Sequence, residues 1–380
     1  MKKIIFVFLI SIFGILVGLI FMELVLRGLN AAHIISIDKK KSFANDPFVY
    51  SASLKYTIKP YFAHDCSVVN NPKVICEANK YGFRDSDHEF KKPANTFRIL
   101  MIGDSLTYNP GVLMKDTYER QLQNILNKNN KTKKKIEIIN LGMIFYGPQQ
   151  YFNMYEQMGK KYDADLVIMS YHLFTDPYDA YEYEQDKTFY FYKSLPDIIP
   201  YSVSQPLKEH AYIFRTLLSA YYGWANRQDP HVIQKFLKDK MFSYQVRTQL
   251  DVNSPEMKRG WQLSKEYVGD LVKEAKNNHS KIAIVVFPAP AQIMPDEWKN
   301  LKKQGYDSDS RLYSDSQTRK KMSQICKSEK WTCLDLQDDL RAAPDVNKLF
   351  LKGDVHLTGV GNQIVAQSVF KLLKDKKYIN

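Results

Sequence analysis

Phe97-Arg98-Ile99-Leu100-Met101-Ile102-Gly103-Asp104-Ser105-Leu106 is the stretch whose reading decides the fold. A short apolar run closed by a glycine is the pattern of a strand buried on both faces of a parallel sheet. Gly103 lets the chain turn sharply, and Ser105 follows at the strand's carboxyl end, the edge where open α/β sheets bind ligands. Gly, Asp and Ser are also ordinary turn residues. The tetrapeptide therefore reads as a nucleophile or as a plain turn until a partner for the serine is found.

Outward from this strand the pattern alternates. A helix is predicted over 116–129, a strand over 136–139, a helix over 149–161 and a strand over 165–171. Residues 180–250, rich in Tyr and Phe with a helical stretch near 206–225, break the alternation and read as an insertion or lid. Regularity returns with a helix near 257–277, a strand over 281–287, a helix near 315–328, a strand over 332–336 and a helix from about 359 to 374. Strands alternating with helices predict an α/β fold, a parallel sheet covered by helices on both faces.

At the other end, residues 4–22 are apolar, preceded by Lys2 and Lys3 and closed by Glu23. As a helix this run reaches about 28 Å, enough to cross a hydrocarbon core. No small-residue cleavage site follows at the right distance. The expectation is one uncleaved transmembrane helix with the remaining chain outside the cytoplasm, since long domains translocate largely regardless of flanking charge. Three segments follow: 1–27 an anchor, 28–90 a stalk and lead-in, and 91–380 the main domain.

The formal net charge is +13. The lysines are scattered, and the tight runs Lys39-Lys40-Lys41 and Lys133-Lys134-Lys135 accompany no recognition motif, so no nucleic-acid partner is expected. The charge suits a solvated surface with some attraction to anionic lipid or an acidic glycan. Four cysteines form two sequence-local pairs, Cys66 with Cys76 and Cys326 with Cys333. In an oxidising compartment each pair closes a short loop as a disulfide; the alternative at this spacing is four separate thiols. The histidines show no metal-binding spacing.

A serine hydroxyl needs a base, and Asp354-Val355-His356 supplies one just before the last helix. Histidine ionises near neutrality, and a carboxylate two residues away can fix its tautomer and stabilise its cation. Otherwise His356 is a loop histidine and Asp354 a helix cap, a role for which Thr358 competes. The order Ser105, Asp354, His356 favours catalysis. The G-x-S-x-G elbow of α/β-hydrolases is absent, which argues against that fold.

The stretch Tyr81-Gly82-Phe83-Arg84-Asp85, the run from Phe97 to Thr107, Asn140-Leu141-Gly142 with Tyr146-Gly147-Pro148-Gln149-Gln150, residues 165–176, and Asp354-Val355-His356-Leu357-Thr358 with Gly361 together resemble the SGNH/GDSL hydrolase family, in its membrane-anchored bacterial branch. The resemblance covers roughly residues 80–375. It implies a flavodoxin-like sheet, Ser105 as nucleophile, His356 as base and Asp354 as its partner, with no metal or organic cofactor. It also implies an oxyanion hole built from the Ser105 backbone N–H, a glycine N–H and an asparagine side chain. Here the sequence departs: Phe145 stands at the usual glycine position, with Gly142 close by, and Thr175 stands for the asparagine. If Thr175 faces elsewhere, Asn109 and His172 are the next donors to consider.

The implied function is a serine ester hydrolase or O-acyltransferase working through an acyl-enzyme, with an acyl ester or acylated cell-envelope glycan as substrate. The implied setting is the bacterial inner membrane, with the domain facing the periplasm or exterior. The alternative is a non-catalytic glycan-binding or envelope-assembly protein on a degraded site. His172 otherwise reads as a hydrogen-bonded core histidine, Asp176 and Asp179 as turn or cap residues, and Glu209-His210 as helix surface.

Overall fold

The computed structural model describes residues 2–32, 34, 48–51, 54–68, 70–130, 134–184, 211–214, 216–217, 246 and 249–379. Most of the insertion expected at 180–250, residues 33, 35–47, 52, 53 and 69 of the stalk and lead-in, Lys133 and Glu209-His210 lie outside the described residues. The chain forms two compact units, Met1–Lys55 with Phe189–Lys238, and Tyr56–Thr188 with Asp239–Asn380. From Tyr56 onward the lead-in therefore shares a unit with the main domain.

In the first unit the apolar N-terminal run is helix α1 (Lys2–Ala31), and a short strand β1 (Phe48–Ser51) follows. Phe6, Phe13, Ile20, Phe21 and Leu24 of α1 are exposed. Its polar end is clasped: the Glu23 carboxylate accepts the backbone N–H groups of Tyr212 (2.9 Å) and Ile213 (2.8 Å). Arg27 pairs with Glu23 at 2.8 Å and lies 5.0 Å above the Tyr212 ring. Among the described residues no helix is long and apolar enough to cross a membrane. The helix expected over 4–22 thus forms, but a span is not found; the longest run of α1 with described side chains, 13–29, carries Glu23 and Arg27.

The second unit opens at Tyr56, inside strand β2 (Lys55–Ile58), and continues to an antiparallel pair, β3 (Ala63–Asp65) and β4 (Ile75–Glu77). A disulfide between Cys66 and Cys76 closes this pair, with Cα atoms 5.7 Å apart. The main sheet comprises β5 (Thr96–Ile102), β6 (Lys135–Asn140), β7 (Leu166–His172), β8 (Lys281–Phe287) and β9 (Cys333–Asp335). All four pairings are parallel, in the order β6-β5-β7-β8-β9. Counted within this sheet the order is 2-1-3-4-5, the flavodoxin-like arrangement, which puts the topological switch point between β5 and β7.

Helices cover both faces, and their burial follows helical spacing. On one side α3 (Tyr118–Asn129) buries Tyr118, Leu122 and Leu126, and α8 (Gly359–Asp375) buries Val365, Val369 and Leu373. Both pack over Ile99 and Met101 of β5. On the other, α4 (Pro148–Gln157), α5 (Asp176–Glu184) and α6 (Pro255–Asn277) pack together against β5 and β8. Each fully buried aliphatic side chain contributes about 1.5–3 kcal/mol. A second disulfide, Cys326–Cys333, ties helix α7 (Gln317–Ser328) to β9. No described cysteine is free.

Candidate active site

The chain leaves β5 through Gly103, where a side chain has no room: a Cβ would stand 1.7 Å from the Ser170 hydroxyl of β7. Asp104 then caps a single helical turn, α2 (Ser105–Tyr108), its Oδ1 accepting the Leu106 N–H at 2.9 Å. Ser105 is thereby the first helical residue at the carboxyl edge of the sheet, beside the switch point. Neither its hydroxyl nor its backbone N–H has a hydrogen-bond partner among the described residues.

The loop after this turn is held by the Tyr81-to-Asp85 stretch. Arg84, 2% exposed, donates to the carbonyls of Tyr108 (3.1 Å), Asn109 and Val112 (2.5 Å). Asp85 pairs with Arg120 of α3 and accepts the Asn140 N–H at 2.7 Å. The resemblance singled these residues out without giving them a role. A charged side chain this buried is retained only with partners, and here its partners are the carbonyls that follow the serine turn.

Asp354 and His356 come together in the loop before α8. The Asp354 carboxylate accepts the His356 backbone N–H at 2.9 Å and hydrogen-bonds His356 Nδ1. Thr358 caps α8 by accepting the Gly361 N–H at 3.3 Å, which frees Asp354 from that task. The His356 side chain is 16% exposed, and its Nε2 is buried with no hydrogen-bond partner. Ser105 and His356 are therefore not hydrogen-bonded to each other. Burial opposes charge on His356, but the charge and hydrogen bond of Asp354, with Asp104 adding to them, outweigh it and hold the imidazole above the ordinary histidine value. Burial likewise pushes Asp354 up, and His356 outweighs it to hold the carboxyl below its usual range.

The residues expected around an oxyanion fare differently. The Gly142 N–H donates to the Asn140 side chain at 2.7 Å, and a Cβ on Gly142 would meet Thr107 at 2.7 Å, so this N–H is already used. Phe145 has φ 60°, a left-handed backbone natural to glycine and rare for a bulky residue. The Thr175 hydroxyl lies 3.2 Å from His172 Nδ1. Asn109 is buried with its amide on Glu119 at 3.2 Å. Asn140 bridges Glu119 (2.8 Å) and the Thr107 carbonyl (2.8 Å). Asp176 and Asp179 are both pushed well above the usual carboxylate range, by burial first and by neighbouring acids. Sequence reading quoted Asn140 within a motif but gave it no role, and it missed Glu119; Asn140 holds both Glu119 and the Thr107 carbonyl of the serine turn.

No protein-family model matches the chain, and no curated protein matches it. Solved structures are similar at low identity. A lipolytic protein of the G-D-S-L family from Desulfitobacterium hafniense is 12% identical with a TM-score of 0.39, covering 73% of this chain and 100% of that one. A lipase/acylhydrolase from Enterococcus faecalis is 10% identical with a TM-score of 0.40, covering 73% and 96%. An acetyl xylan esterase is 11% identical with a TM-score of 0.41, covering 72% and 98%. The case for an activity therefore rests on the site's own residues.

Proposed function

We propose that this chain is a serine-dependent ester hydrolase or O-acyltransferase that works through an acyl-enzyme on Ser105. The observation that carries the reading is the Asp354–His356 pair: the carboxylate takes Nδ1, which leaves Nε2 as the nitrogen that receives a proton. The unengaged Ser105 hydroxyl supplies that proton as Oγ attacks the acyl carbonyl. Substrate binding must first bring Oγ and Nε2 into reach, since catalytic hydrogen bonds tighten in the complex. The Ser105 N–H is open to the developing oxyanion. Collapse expels the alcohol, protonated by His356, and water or a sugar hydroxyl then takes the acyl group. Hydrolysis of p-nitrophenyl acetate by the wild type, and its loss in Ser105→Ala, tests this; full activity in the variant overturns it.

The proposed setting is a single-pass bacterial inner membrane protein with this domain in the periplasm or outside, acting on acylated envelope polysaccharide. Thirty helical residues reach about 45 Å, α1 exposes large apolar side chains, and two disulfides suit an oxidising compartment. The glycan rests on the family resemblance and on the net charge of +13, which suits an acidic polymer. Protease added to spheroplasts should digest the domain; full protection contradicts the orientation.

A second reading has its own observation. The Gly142 N–H and the Thr175 hydroxyl both have protein partners, as in a glycan-binding protein on a retired site. An acyl glycan that binds without turnover would favour it.

A further inference from the structure

We propose that His172 is a positioning residue, holding through Nδ1 the Asp104 carboxylate and with it the turn that presents Ser105 to His356. The proposal rests on the acyl-transfer reading for its purpose, though not for its test. His172 is the last residue of β7, across the switch point from the end of β5. Its ring is 2% exposed, and Nδ1 lies 3.2 Å from Asp104 Oδ2. Asp104 is 3% exposed and spends its other oxygen on the Leu106 N–H. One carboxylate thus caps the serine turn with one oxygen and reaches the neighbouring strand with the other.

The protons place themselves. An ionised carboxylate only accepts, so Nδ1 carries the hydrogen that Asp104 receives. The Thr175 oxygen lies 3.2 Å from the same nitrogen and shares that hydrogen. Nε2 is buried with no hydrogen-bond partner among the described residues. An unpaired buried ring nitrogen costs about 1–3 kcal/mol. A phenyl ring would fill this space, against Phe174 with ring centroids 6.1 Å apart, without that cost. Packing thus disfavours histidine here, and Nδ1 is what the imidazole adds.

The Asp104 charge is felt by His356, by Tyr118 of α3, Tyr151 of α4, and Asp176 and Asp179 of α5. Only His356 among them serves as the base, and the other carboxylate acting on it is Asp354 of its own loop. Asp104 helps to keep His356 basic. Without the Nδ1–H, its buried oxygen loses its partner, the carboxylate turns away, and that help is lost.

The test uses the full chain in detergent with His172→Phe, which fills the space without a donor, and His172→Asn, whose amide N–H can stand in for Nδ1–H. The first readout is the His356 titration by NMR of histidine-labelled protein, which needs no turnover. The second is kcat and KM with p-nitrophenyl acetate. His172→Phe should move the His356 titration to lower pH and cut kcat by about 10²-fold with KM little changed, the scale of a misplaced reacting group. His172→Asn should titrate like the wild type and restore most of kcat. Should the phenyl variant fold poorly, Asp104→Asn probes the same bond from its other end and should lower the His356 titration. A His356 titration unmoved in His172→Phe, or in Asp104→Asn where that replaces it, overturns the proposal, as do two His172 variants that change alike. Absence of turnover in the wild type would count against the acyl-transfer reading alone, because the titration still decides the role of His172.

Discussion

The charge on His356 makes the residue scale testable. Its pKa is raised in the folded chain, and the base must be neutral to accept the serine proton. Activity should therefore fail as pH drops through a value above 6.5, the ordinary one for histidine. A kcat/KM profile with its acidic limb below that value contradicts the account. Thr175 gives a second test. Its hydroxyl is engaged with His172 Nδ1, so Thr175→Val should lower kcat by less than about 10-fold, whereas loss of a true oxyanion donor costs about 10²–10³. Ser105, Asp354 and His356 stand out as candidates in the sequence because each sits in a short local motif. Gly142 was misleading for a physical reason: its N–H is taken by a side chain two residues back, and spacing does not show which donors are already satisfied.

Among the elements, the five main strands and most of the helices around them were legible from apolar periodicity, but the helix expected over 149–161 closes at Gln157 and α5 was not expected. Helix α3 shows the periodicity, since Tyr118, Leu122 and Leu126 recur every four residues on one face. The Arg84 brace was not legible, because its partners lie 24 to 28 residues away in the chain. The two disulfides stood open at the sequence level and are closed in the structure. Their sequence separations are 10 and 7, for which the chain-entropy model gives about 2–3 kcal/mol each. Cys326→Ser with Cys333→Ser should lower the melting temperature, and the wild type under strong reductant should follow it. An unchanged melting temperature in both would show that the pair contributes nothing.

Across the whole molecule, the parallel sheet explains why the candidate residues converge. The loops after β5 and β7 meet at the switch point, and there Asp104 meets His172. The same convergence buries acids. Burial pushes Glu119 up to about 7, with Arg120 and Arg84 pulling the other way. Its folded value thus lies above its unfolded one, so the folded state holds the extra proton between about 4.3 and 7 and stability falls as pH rises through that window. Asp176 and Asp179 act in the same direction. Glu119→Gln should flatten, without abolishing, the fall in melting temperature from pH 5 to pH 8; an unchanged slope would show that Glu119 does not titrate there. The central claim, that Ser105 is a nucleophile served by His356, is tested most directly by treating the full chain with a fluorophosphonate probe and mapping the adduct by mass spectrometry. The account predicts one stoichiometric label on Ser105, absent in Ser105→Ala and slowed in His356→Ala. An unlabelled protein, or a label that persists in Ser105→Ala, would contradict it.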